Sequence, residues 1–211
     1  MRCNHIYFLL FSLVFVSWFS CSNSENKDPD QEEFIKDPRA VDLGLSVYWA
    51  DRNIGASIES EVGSMYAWGE TSTKSSYTKS NYTVWSNLEW SSVPESISGT
   101  EFDAAKVNWG GKWRMPTTKE VSELFAKCVV THRTINGKQG AYLQNNGKSV
   151  FIPCPAIRTG DKDKEHDRTC MDVPIIGFDK TLEGQEYIYG VGFICERTYK
   201  GTPIRPVMDK Q

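Results

Sequence analysis

Apolar and polar positions change rhythm several times along the chain, and each rhythm predicts an element. In VDLGLSVYWADRNIG, residues 41–55, Leu45, Val47 and Trp49 fall at alternate positions, the period of a half-buried strand. MYAWGE follows as a second short strand ending at Gly69. Residues 70–100 lose the pattern: Ser, Thr and Asn dominate, with Tyr77, Tyr82, Trp85 and Trp90 dispersed among them, which predicts a long irregular region. Phe102 to Val107 reads as a short helix. Beyond it, Val121, Leu124, Phe125 and Cys128 recur at i, i+3, i+4 and i+7, one apolar stripe of a helix. VVTHRTI, AYLQ and SVFIPCPAI then read as strands separated by Asn-Gly, Lys-Gln-Gly and Asn-Asn-Gly turns. GDKDKEHDR is a charged loop, and EYIYGVGFICERTY and PIRPVM supply closing strands. Short strands with one or two helices and no βαβ alternation predict an α+β domain.

The segment WGGKWRMPTTKEVSELF, residues 109–125, carries the densest punctuation. Thr117 followed by Glu120 has the form of a capping box, in which each side chain meets the other residue's amide. Pro116 sits just outside the helix, where its missing N–H costs nothing. Gly110 and Gly111 permit a tight turn. Trp113, with Trp109 and Met115, is expected in the core, and Arg114 to anchor a nearby carbonyl or carboxylate. Trp113, Arg114, Pro116, Thr117 and Glu120 therefore read as a fold motif.

The N-terminal end belongs to no domain. Arg2, the apolar run Ile6 to Val16 and the small or aromatic residues before Cys21 make residues 1–20 a signal peptide, too short to span a bilayer comfortably. The site before Cys21 resembles the lipobox of bacterial lipoproteins, with Trp18 at the usual Leu position. That resemblance implies acylation of Cys21. Residues 21–39 contain SNSENKDPDQEEF, acidic and poor in apolar residues, and form a tether. Folded sequence is expected over residues 40–211. An acidic stretch so soon after a lipidated cysteine resembles the surface-export signal of Bacteroidota lipoproteins, which implies an outer-membrane or cell-surface location.

The formal charge is −3, and no basic cluster or basic helix face points to nucleic acid. Cys128, Cys154, Cys170 and Cys195 remain as candidates for disulfides; Cys128 and Cys154 read as small core residues, and Cys170–Cys195 is the expected pair if a bridge forms. No CxxC spacing suggests zinc. Asp161, Asp163, Glu165 and Asp167 imitate part of a calcium loop, but His166 and Asp172 occupy the positions where an EF-hand needs glycine and glutamate. No metal or cofactor is expected.

VDLGLSVYWADRNIGA, YAWGET, FDAAKVNWGGKWRMPTTKEVSELFAKC and GTPIRPV resemble, in that order, the Fibrobacter succinogenes major paralogous domain, over about Val41 to Val207. The WGGKWRMPTTKE core is also similar to the RLPTEAEWE signature of formylglycine-generating-enzyme-like domains. The resemblance implies a C-type-lectin-like fold with paired terminal strands and a long-loop region. The chain departs from the family between Ile157 and Ile194, where RTCMDVPIIGF replaces a YWSS-like segment. The enzymes use a cysteine pair beside an RGGSW-type segment, which is missing here, and nothing in the sequence sets His132 or His166 beside a cysteine. A non-catalytic binding module for a glycan or envelope protein is expected, with Tyr82, Trp85 and Trp90 as its candidate surface. The alternatives are a structural or adhesin-assembly component and a diverged enzyme.

Cys21→Ala is expected to leave the protein soluble or as an uncleaved precursor, read by membrane fractionation. A wild-type mature N-terminus found elsewhere by mass spectrometry overturns the lipoprotein reading.

Overall fold

Apolar positions near the two ends of the domain pair with each other. The computed structural model describes residues 37–84, 94, 96–154, 156–165, 178–179, 187–190, 195–197 and 199–210. In chain order the elements are β1 (Ala40–Val41), β2 (Val47–Ala50), β3 (Met65–Tyr66), α1 (Ala104–Trp109), β4 (Trp113–Arg114), α2 (Thr118–Lys127), β5 (Val129–Ile135), β6 (Lys138–Asn145), β7 (Lys148–Pro153), β8 (Ala156–Thr159), β9 (Lys162–Glu165), β10 (Phe178–Asp179), β11 (Tyr187–Gly190), β12 (Cys195–Arg197), β13 (Thr202–Pro203) and β14 (Val207–Asp209). A single 3-10 turn, Lys79–Asn81, interrupts the loop before α1. The fold is α+β, built among the described residues of short antiparallel strands, the helices α1 and α2, and loops.

One sheet has the order β1-β2-β14-β4. Val207 of the C-terminal strand lies opposite Trp49 on one side and Arg114 on the other. The fully buried Trp49 and Val207 pack with Leu43, Leu45 and Val47, with Val121, Leu124 and Cys128 of α2, and with Ala141, Leu143, Val150 and Ile152. The helical stripe read from the sequence thus closes this core. A second core gathers Ile54, Met65 to Trp68, Tyr77, Tyr82, Val84, Ile97, Ala104, Ala105, Met115 and Ile204 under the loop-rich half.

The meander β5-β6-β7 follows from two dipeptides. Asn136-Gly137 and Asn146-Gly147 all have positive φ, between 50° and 76°, as two-residue hairpin turns of the primed type demand. Pairing runs one to one from Val129 opposite Gln144 to Ile135 opposite Lys138, and from Gly140 opposite Pro153 to Asn145 opposite Lys148. Lys138-Gln139-Gly140, expected as a turn, instead opens β6. Gly140 is needed there for space, since a Cβ would meet the Phe151 ring at 2.5 Å and the Ile152 carbonyl at 2.3 Å. Lys162–Glu165, expected in a charged loop, forms β9 paired with β8. SVFIPCPAI divides into β7 and β8.

Arg205 joins these parts. Its guanidinium is buried and donates from Nε to Asn53 Oδ1 (2.7 Å), from Nη1 to the Ala50 carbonyl (2.9 Å) and from Nη2 to the Phe151 carbonyl (2.8 Å). Burial pushes its pKa down to about 9, against the pull of Asp51 and Glu59, so it stays charged at neutral pH. Arg205→Met leaves three buried acceptors without donors and is expected to cost roughly 3 kcal/mol or more, read from the denaturant midpoint. Arg205→Lys should recover only part of that loss, because an ammonium cannot reproduce the planar fork.

Candidate functional site

Several side chains that look chemical from the sequence are consumed by the fold. The Thr117 cap forms: Glu120 N–H donates to Thr117 Oγ1 (3.4 Å), and Thr117 N–H to Glu120 Oε2 (2.8 Å). Arg114 closes a fork on the same carboxylate, Nη1 to Oε2 at 2.9 Å and Nη2 to Oε1 at 2.6 Å. It also bonds Asp209, the Ser98 hydroxyl and the Met115 carbonyl. Glu120 raises the pKa of Arg114 further, against burial. Burial alone would raise Glu120, but Arg114 and Thr117 hold it below the usual carboxylate range. Trp113 and Pro116 are buried beside it. Trp113 meets Trp109 edge-on at 5.1 Å, and the Arg39 guanidinium lies 4.3 Å over Trp109 and 5.3 Å over Trp113. Within this motif Arg114 ties Glu120 of α2 to Asp209 of β14.

Asp103 went unnoticed in the sequence, although Asp before AAKVNW is a helix-cap signal. Fully buried, its Oδ1 accepts from the Ala105 and Lys106 amides at 2.8 and 3.1 Å. Its Oδ2 accepts from Gly99 and Met115 at 2.7 and 2.8 Å. With four amides around it, this carboxylate anchors the start of α1.

The aromatic loop needs a correction. Tyr82 is not a surface platform: it is 1% exposed, and its hydroxyl donates to the Trp68 carbonyl at 2.8 Å. Tyr77 is likewise buried, exchanging backbone bonds with Gly160 at 2.7 and 2.8 Å and donating to the Met65 carbonyl. Glu70 accepts from the Thr83 amide and hydroxyl and pairs with Lys74. The rings point inward because the polar loop offers few aliphatic groups to hold it down. Trp85 and Trp90 lie outside the described residues, as do Cys21, His166, Asp167 and Cys170.

Cysteine chemistry divides. Cys128 is a free buried thiol whose pKa burial pushes up, so it is not a thiolate nucleophile at neutral pH. Cys154, expected as a packed core thiol, is instead disulfide-bonded and half-buried just past the end of β7; its partner's side chain lies outside the described residues, as does the expected Cys170–Cys195 pair. Among the described residues no group of His, Cys, Asp and Glu could hold a metal ion. Nor is any described helix long and apolar enough to cross a membrane.

What the described surface does offer is a strand edge. Among the described residues β5 pairs with β6 alone, and Val129 is 66% and Val130 37% exposed. In an antiparallel pair alternate residues aim N–H and C=O at the free edge, and β5 has seven residues in unbroken register, about 24 Å of edge. Helix α2 sets this strand in place: Cys128 caps it, bonded to the Leu124 carbonyl at 3.0 Å, and Val129 follows at once. β5 holds no proline, lysine or bulge, and Arg133 is its one charged residue. Five of its seven residues are Val, Thr or Ile. The sequence had marked VVTHRTI only as a strand; nothing local says which strand of a meander lies at the edge.

No family model, curated protein or solved structure matches this chain. The family resemblance therefore stands on the ordered motifs alone.

Acid should loosen the contact between α2 and the loop before β2. Burial alone would raise the Glu123 pKa, but bonds from Lys127 (2.7 Å) and from the Ser46 hydroxyl and amide lower it to about 2. A depressed carboxylate adds stability above its ordinary value of 4.5 and loses it as pH falls toward 2. Glu123→Gln should therefore flatten the pH dependence of the melting temperature across that window, while changing it little if the carboxylate were unpaired.

Proposed function

We propose that this chain is a lipid-anchored envelope protein, held through Cys21, whose single domain is a non-catalytic binding module for a protein partner. The observation that supports it is the exposed, unpaired edge of β5. A free edge adds the strand of another polypeptide, with main-chain bonds supplying affinity and the alternating side chains supplying selectivity. Lipoprotein anchoring, the tether over residues 21–39 and an outer-membrane or surface location fit a module that reaches other envelope proteins. The domain belongs, on this reading, with the Fibrobacter succinogenes major paralogous domain and the C-type-lectin-like fold. The ordered motifs support that assignment, and so does the antiparallel pairing of β2 with the C-terminal β14.

A glycan remains the second reading, with Trp85 and Trp90 as its platform; the inward anchoring of Tyr77 and Tyr82 favours the protein partner. A diverged enzyme receives no support from Cys128, whose thiol is buried and protonated.

The test is cross-linking of the tagged full chain in intact cells. Wild type should retain an envelope protein that Val130→Pro loses by about tenfold, because proline removes a main-chain donor from a strand edge without changing its charge. Ile58→Lys, at an exposed site elsewhere, should retain it. Equal retention by the β5 variant removes the edge from consideration, and recovery of polysaccharide alone favours the glycan.

A further inference from the structure

The charge around β5 differs from that of the chain as a whole. From Leu124 to Gly160 there is no Asp or Glu, while Lys127, Arg133, Lys138, Lys148 and Arg158 all fall in that stretch. The meander places several of these along one edge. Lys127 closes α2 just before β5, His132 and Arg133 occupy its middle, and Lys138 pairs with its last residue, Ile135. Lys127 is tied to Glu123 at 2.7 Å, so it is already half neutralised. Arg133 is not: its guanidinium lies 3.7 Å over the Tyr142 ring, and among the described residues it has no carboxylate partner. The ring is itself held, since Ser149 donates to the Tyr142 hydroxyl at 2.6 Å.

A guanidinium stacked on a fixed ring keeps its N–H edges free while losing little further freedom on binding. It is a prepared carboxylate receptor, set one side chain away from an open backbone edge. We propose that β5 receives an extended acidic segment of a partner protein, a strand in which β-branched residues alternate with Asp or Glu, one carboxylate lying opposite Arg133. This rests on the reading of β5 as a strand-addition edge and adds the chemistry of what is added. Val129, Val130, Thr131 and Thr134 supply β-branched partners for the remaining positions, and cross-strand pairs of opposite charge or of β-branched residues favour the register.

A second copy of this chain fits less well. Antiparallel pairing of β5 with itself about His132 would bring two such base-bearing, acid-free edges together, and like charges oppose association. Nucleic acid fits less well too, because an open backbone edge answers the main chain of a polypeptide and has no counterpart in a phosphate ribbon.

The experiment uses the full chain in detergent and three synthetic seven-residue peptides that alternate valine or threonine with glutamate, with glutamine, or with lysine. Binding is followed by peptide fluorescence anisotropy and by amide hydrogen exchange across β5. The glutamate peptide should bind at least about tenfold more tightly than the lysine peptide and slow exchange at alternate β5 amides, leaving β6 unchanged. Arg133→Gln should remove most of that preference without weakening the glutamine peptide, and Arg133→Glu should reverse it. Equal binding of all three peptides overturns the acidic preference and leaves the strand-addition reading standing. Failure of every peptide to protect β5 overturns both. Protection of β5 that appears without peptide and grows with protein concentration assigns the edge to a second copy, and displacement of the glutamate peptide by a single-stranded oligonucleotide assigns it to nucleic acid; either result overturns the proposal.

Discussion

A single buried guanidinium holds the two halves of this domain in register. Arg205 reaches the end of β2, the Asn53 side chain and the β7 main chain. Its direct acceptors are neutral, so dipoles meet the guanidinium while Asp51 and Glu59 favour its charge without bonding it. Such a group is costly to bury, and it persists because every N–H it aims inward meets an oxygen. Beside that fork the boundary between the first sheet and the meander is largely apolar, with Asn145 donating to the Leu43 carbonyl as a further polar tie, and apolar boundaries tolerate sliding. Specific geometry at β7 therefore depends on a residue more than fifty positions away in sequence.

The same economy recurs in the polar motif. Asp103, Arg114 and Glu120 are ionisable groups a reader would first suspect of chemistry, and each is engaged by several partners inside the fold. Saturation is what separates a structural charge from a reactive one. A carboxylate accepting four amides, as Asp103 does, has no lone pair left in a useful direction. By contrast Arg133 has a stacked ring beneath it and, among the described residues, no anion beside it.

Local signals in the sequence carried far and long-range ones did not. The two Asn-Gly turns, the Thr117–Glu120 box and the stripe from Val121 to Cys128 were legible because each is decided within a few residues. Arg205 and Asp103 were not legible as anchors, since their partners are backbone atoms brought near only by the finished fold. Tyr82 misled for a related reason: a tyrosine among Ser, Thr and Asn looks exposed until one knows that the loop folds over a carbonyl of Trp68. Gly140 misled in the opposite way, reading as a turn when its role is to admit the Phe151 ring.

The two ideas meet at the meander. One of its outer strands, β7, is clamped: Arg205 holds the Phe151 carbonyl, and on the neighbouring strand Asn145 reaches the Leu43 carbonyl at 2.9 Å. One face is covered by α2 and the first core. What remains is the other outer strand, β5, fixed from behind by a full ladder to β6 and open in front. A mobile edge would have to be ordered before it could pair, and that ordering entropy would be charged against binding. An edge already straightened by β6 avoids most of that loss, so the bond from Arg205 to β7 and the full ladder behind β5 both suit the strand addition proposed for it.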